Sequence, residues 1–167
     1  QPGDRAEIPF SHFAMAGTQA LDVEVSTFPA INIERRLGYL IRYPHGCAEQ
    51  TFSGAFPQLY LERFLDKDDD RVKDARTNTL VAISKLHKFQ RADGSFSTWP
   101  GRDYYNDWIT TYLGHYMIEA KRMGYDVPSG IYNKWLSFQK NAVKSTPVSS
   151  GYYGLSTLEK AQAYRLF

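Results

Sequence analysis

The chain has 167 residues, with 20 Lys and Arg against 18 Asp and Glu for a formal charge of +2. An apolar fraction of 43% and an aromatic fraction of 15% exclude a disordered or fibrous chain, and one domain of this length can bury a substantial core. The near-balanced charge argues against nucleic acid as the main partner, no apolar run is long enough to insert in a membrane, and the single cysteine, Cys47, excludes an internal disulfide or a cysteine metal cage.

Gln1-Pro2-Gly3 lacks the pattern of a leader, and Arg165-Leu166-Phe167 interrupts an apolar helical pattern, so the sequence reads as a piece of a larger protein. Leu21, Val23 and Val25 alternate with Asp22, Glu24 and Ser26, the period of a half-buried strand. With Glu7 to Met15 and a turn at Ala16-Gly17-Thr18 they predict a short β-hairpin, closed by Pro29. A lone hairpin is marginal in water, so this one is expected to join a sheet outside the chain.

From Asn32 onward the period is helical. Asn32 caps a helix carrying Ile33, Leu37, Leu40 and Ile41, which Pro44-His45-Gly46 breaks. A second helix is predicted from about Glu49 to Leu65, kinked or restarted at Pro57. Asp66, Asp68 and Asp70 mimic the start of a calcium loop. Its sixth and twelfth positions hold Arg71 and Thr77 instead of Gly and Glu, which leaves a solvated turn. A third helix, about 71–91, points Leu80, Ile83, Leu86 and Phe89 to the core and stops at Asp93-Gly94. A fourth, about 106–123, carries Ile109, Tyr112, Leu113, Tyr116 and Ala120 and stops at Gly124. A fifth starts near Ser129 with Ile131, Trp135 and Phe138, and a capping box, Ser156 with Glu159, opens a sixth. Ile83-x-Lys85-Leu86-x-x-Phe89-Gln90-Arg91 recurs as Tyr132-x-Lys134-Trp135-x-x-Phe138-Gln139-Lys140. The echo points to a repeated helical hairpin that must stack on copies of itself, against coincidence in two amphipathic helices.

The chemistry lies in Tyr43-Pro44-His45-Gly46-Cys47-Ala48-Glu49-Gln50. Cys47 follows a break and starts a helix, where exposed N–H groups favour thiolate. Gln50 lies one turn on, and its carbonyl can reach back to the sulfur. A thiolate on that amide carbon can displace ammonia and leave an internal thioester, because proximity makes a poor substitution feasible.

Gly46-Cys47-Ala48-Glu49-Gln50 resembles the Gly-Cys-x-Glu-Gln thioester motif of the alpha-2-macroglobulin and complement superfamily, and Tyr43 to Gln50 resembles its bacterial branch. Pro57, Trp108-Ile109-Thr110-Thr111-Tyr112 and Phe89-Gln90-Arg91-Ala92-Asp93-Gly94-Ser95-Phe96 agree with further family segments, so the resemblance covers about Pro29 to Phe167. It implies a mainly α fold, the N-terminal portion of a thioester-containing α/α-toroid over residues 30–167, with residues 1–29 a β segment from a flanking β-rich domain. It also implies protease trapping. A protease cuts a bait region elsewhere in the parent, and the exposed thioester acylates a lysine amine of the attacker, once, without turnover. The other domains of the parent are the second class of partner. No cofactor or metal is implied, and the setting is periplasmic, cell-envelope or extracellular.

Within this resemblance Cys47 supplies the sulfur, Gln50 the acyl carbon, Glu49 supports the motif and Tyr43 shields it. Tyr39, Phe52 and Phe56 also crowd the motif in sequence, as core or as an apolar shell against water. The complement branch uses a histidine beyond the second repeat helix. Here the histidines are His12, His45, His87 and His115, which favours transfer to amines, with His45 flanking the motif. Three other readings compete: a cysteine hydrolase with His87 or His115 as base, a carbohydrate-active α/α-toroid using two of Asp93, Asp103 and Asp107, and an interaction module whose motif never closes.

Overall fold

Four α-helices and two short 3-10 segments make up the described residues, with no strand among them. The structure, a computed structural model, describes residues 38–145 together with Met15 and Gly17. The chain divides into two units, Gln1–Asn32 and Ile33–Phe167. In the first, Gly17 stands in a turn with φ of 85°. The remainder of the expected hairpin, the start of the helix expected from Asn32 and the sixth helix lie outside the described residues.

In the second unit a 3-10 turn, Gly38–Leu40, leads into α1, Ala48–Ala55. Helix α1 is shorter than the sequence suggests. Pro57 has no N–H to continue it and becomes the first residue of a 3-10 helix, Pro57–Arg63. The acidic connector then supplies a cap: Asp69 accepts from the Arg71 N–H at 2.8 Å and opens α2, Asp70–Phe89. Asn106 does the same for α3, Asp107–Arg122, accepting from the Ile109 N–H at 2.9 Å. The Pro128 carbonyl accepts from the N–H groups of Ile131 and Tyr132 where α4, Ser129–Ser145, begins.

Helix α1 touches both α2 and α3, and Phe52 makes the join. Its ring, fully buried, meets Phe89 of α2 edge-on at 6.0 Å and Tyr116 of α3 at 5.0 Å. Around it Ala48, Ala55, Leu59, Ala82, Ile83, Leu86, Phe96, Ile109, Leu113, Met117 and Trp135 form one core. Leu80 is not part of it. The buried face of α2 runs through Val72, Ala75, Thr79, Ile83 and Leu86, and Leu80 falls one position off it, 51% exposed. Tyr112, Ile131 and Phe138 are only half-buried. Helices α3 and α4 pack closely because Trp135 lies flat against Gly114, where a methyl group would strike the indole ring. The Trp135 N–H is satisfied by the Thr110 carbonyl at 2.9 Å.

The echoed residues take different roles. Gln90 stands past the end of α2, paired across a single antiparallel bridge with Phe96, and donates to the Ile131 carbonyl at 2.9 Å. Gln139 lies within α4, buried, with its amide on the Thr111 hydroxyl.

One polar cluster ties the 3-10 helix to α3. The Tyr60 hydroxyl donates to Glu119 at 2.6 Å, and Arg122 pairs with the other carboxylate oxygen at 2.6 Å. The Tyr60 hydrogen bond, with the charges of Arg122 and His115, holds the Glu119 carboxyl below its ordinary 4.5 against the opposing effect of burial. A carboxyl depressed on folding contributes stability that is present above its unfolded value and lost as pH falls through the folded one. Burial, then the Glu119 contact, pushes Tyr60 up to about 12, which adds stability that is lost as pH rises beyond 10. The expected result for Tyr60→Phe is a loss of about 1–2 kcal/mol at neutral pH in urea titration, with a flatter fall in stability below pH 5 than in the parent.

Candidate functional site

The Gly46–Gln50 segment folds as a reciprocal helix cap. Gly46 has φ of 96°, a left-handed backbone that turns the chain into α1. Cys47 is the N-cap residue, extended at φ −69° and ψ 172°, and its sulfur faces the Gln50 N–H. Gln50 folds back in turn, its Oε1 accepting from the Cys47 N–H at 3.3 Å. The side chain packs so closely over Gly46 that a methyl group there would collide with Oε1. Cys47 is half-buried, whereas Glu49 and Gln50 are exposed. Glu49 places its charge in the first turn of α1, where it complements the helix dipole, and no other described residue bonds its carboxylate.

Distant parts of the chain fix this cap. The Ala48 N–H donates to the Thr98 carbonyl at 2.9 Å, so the loop after α2 holds the first turn of α1. That loop is anchored by Phe96, whose N–H donates to the buried Thr110 hydroxyl at 3.0 Å. On the other side, residues 41–45 run as a strap outside any helix or sheet. Gln58, buried, donates to the carbonyls of Arg42 (2.9 Å) and Gly54 (2.8 Å) and accepts from Asn78 of α2 at 3.0 Å. Lys85, also on α2, donates to the Pro44 carbonyl and sets its ammonium 4.7 Å over the Tyr43 ring. Gln58, Asn78 and Lys85 carry no sequence motif that marks them for this role. Their only signals are polar residues on otherwise apolar helix faces.

Strap and cap enclose a groove of about 600 Å³ lined by Tyr39, Arg42, Tyr43, His45, Gln50 and Pro57. The four aromatics expected around the motif divide here. Tyr39 and Tyr43 line the groove and are exposed, while Phe52, on the inner face of α1, enters the core and Phe56, just past the end of α1, flanks it.

Comparison with known proteins agrees with this architecture. The family described as the A-macroglobulin TED domain matches residues 17–144, well over half of the chain. The chain belongs to that family. Alpha-2-macroglobulin of Escherichia coli K12 is 33% identical over 144 residues, 80% of this chain and 8% of that protein. Salmonella alpha-2-macroglobulin reacted with methylamine superposes with a TM-score of 0.63 at 28% identity, over 80% of this chain and 9% of that one. Escherichia coli alpha-2-macroglobulin activated by porcine elastase gives 0.59 at 26% identity, over 74% and 12%. The chain therefore spans under an eighth of the length of each of these relatives.

Read as part of a TED domain, the segments singled out in sequence form one chain of contacts. The 89–96 turn meets the 108–112 segment at Phe96 and Thr110, and two residues further its carbonyl caps the cysteine helix. Four of the competing residues are engaged elsewhere. His87 bonds the Ser84 carbonyl at 2.6 Å on its own helix, and His115 meets Phe56 edge-on at 5.1 Å. Asp93 accepts from the Ser95 N–H and hydroxyl and shares Arg91 with Asp103. Burial pushes the Asp93 carboxyl up, but the Ser95 hydrogen bonds and the Arg91 charge outweigh it and hold it below the usual range. An ionised carboxylate locked in a turn is a staple, not a general acid.

Proposed function

We propose that this chain is the thioester-bearing part of a protease trap. The observation that carries the reading is the reciprocal cap, in which the Gln50 amide folds back onto Cys47. In the first step the Cys47 thiol adds to Cδ of Gln50, and the amide nitrogen leaves with the thiol proton as ammonia. The product is an S–C(=O) bond. The Cys47 N–H on Oε1 supports the charge that develops on that oxygen. In the second step an amine adds to the same carbon, an amide forms, and the sulfur leaves with the amine's proton as a free thiol. Each chain reacts once.

The lysine of an attacking protease supplies that amine, after cleavage at a bait region in another part of the parent. A relative reacted with methylamine and one activated by elastase support the amine and the protease respectively. Residues 1–29 belong to a flanking β-rich domain in this reading, and residues 30–167 to the N-terminal portion of the toroid. The parent works outside the cytoplasm, where such proteases are met. Tyr43 is the shield, aided by the strap that holds it, and Glu49 supports the turn.

Intact mass tests the proposal. The chain should be lighter by one ammonia, with Cys47 resistant to iodoacetamide. Methylamine should then release the thiol and convert Gln50 to its methylamide, and Cys47→Ala should abolish all three changes. A full-mass chain whose Cys47 alkylates at once, both alone and within its parent, would sink the reading. Sustained peptidase turnover would replace it with the cysteine hydrolase.

A further inference from the structure

The strap before the cysteine is held by the 3-10 helix, through Gln58, and by α2, through Lys85. Asn78 of α2 reaches Arg42 through Gln58, and Lys85, two turns further along α2, reaches Pro44 and Tyr43. We propose that Lys85 is a positioning residue, a latch that holds Tyr43 and Pro44 against α2 and so sets how readily amines and water reach Gln50 from the groove. Its chemical consequence rests on the thioester reading, whereas the latch itself rests on the contacts of Lys85.

Little else holds the ring of Tyr43. It is 59% exposed, so burial does not fix it. Residues 41–45 belong to no helix or sheet, and Pro44 has no N–H to donate. The Lys85 ammonium makes a charge-assisted hydrogen bond to the Pro44 carbonyl and a cation–π contact to the preceding ring, both from one atom. Removing that ammonium frees the ring and the Pro44 carbonyl, while Pro44 itself stays buried and Gln58 keeps its hold on Arg42. Tyr43 lines the same groove as Gln50, so release of the ring opens the side from which a nucleophile arrives.

Two substitutions in the full chain separate the latch from a general packing role. Lys85→Met keeps the apolar stem and removes the ammonium. Lys85→Arg keeps a cation able to donate to a carbonyl and lie on an aromatic face. Two readouts are followed: the rate of native-state tryptic cleavage after Arg42, and the rate of thiol release in methylamine. Both should rise about tenfold in Lys85→Met, the factor expected from losing one charge-assisted hydrogen bond, and Lys85→Arg should restore most of it. In a Tyr43→Gly background the effect of Lys85→Met on thiol release should shrink, because the two residues act as a unit.

Unchanged cleavage after Arg42 in Lys85→Met, or equal behaviour of Met and Arg, overturns the latch. A parent chain that is not lighter by one ammonia overturns the thioester reading alone. Cleavage after Arg42 in the same variants then still decides the latch. Lys85→Gln carries the comparison should Lys85→Met fail to fold.

Discussion

Gly46→Ala should slow thioester formation by about a hundredfold while leaving the helical core folded. Two effects act together at this position. The backbone at φ of 96° costs an L-residue about 1–2 kcal/mol. The new methyl group would also land on Oε1 of Gln50, so the amide must swing away from the Cys47 N–H. The second effect decides the chemistry. An intramolecular substitution draws its rate from alignment, and a displacement of roughly 1 Å costs about two orders of magnitude. Core residues such as Phe52 do not touch Gly46, so the melting temperature should fall by no more than about 2–4 °C per kcal/mol of backbone strain. The measurement is the fraction of chain lacking one ammonia as a function of time after refolding, read by intact mass. An alanine variant that closes the bond at the parent rate would show that the folded-back amide is not the reactive arrangement.

The same residues mark how far the sequence could be read. Caps and breaks are local, so Asn106, Pro128 and Pro57 give the start of α3, the start of α4 and the interruption after α1 without any knowledge of packing. The buried face of α2 was harder. Leu80 is the most apolar residue in its turn, yet the face is phased by Val72, Ala75 and Ile83, and the position that falls inside belongs to Thr79. Ile83, Leu86 and Phe89 are buried as expected, and Leu80 alone was misplaced. At the site, the spacing of Cys47 and Gln50 places both in one helical turn, but not the direction of the amide. That direction depends on the left-handed Gly46 and on the loop carbonyl of Thr98. Gln58, Asn78 and Lys85 were illegible for a related reason. Each acts on the strap across tens of residues of sequence, and a polar side chain on a helix looks the same in a one-dimensional pattern whether it meets solvent or a backbone carbonyl.

Gly94→Ala should produce the opposite outcome, a large loss of stability. Gly94 is the glycine of the Asp93-Gly94 turn that ends the α2 segment, with φ of 95°. The space a side chain would need is filled by the backbone of α4, the carbonyl of Lys134 and the N–H of Trp135. A flexible side chain could rotate aside, whereas a helix backbone held by its own hydrogen bonds can only move as a body. Left-handed strain of about 1–2 kcal/mol and forced separation of about 1–3 kcal/mol give an expected cost of roughly 2–5 kcal/mol. For a chain of this length that lowers the melting temperature by about 5–15 °C. Moving α4 outward would also stretch the bond from Gln90 to the Ile131 carbonyl and loosen Trp135 from Gly114. Urea denaturation followed by tryptophan fluorescence reads both the midpoint and the change around Trp135. A midpoint within error of the parent would mean that the turn and α4 are not in the close contact described, and would remove the argument that this turn is glycine because another helix passes over it.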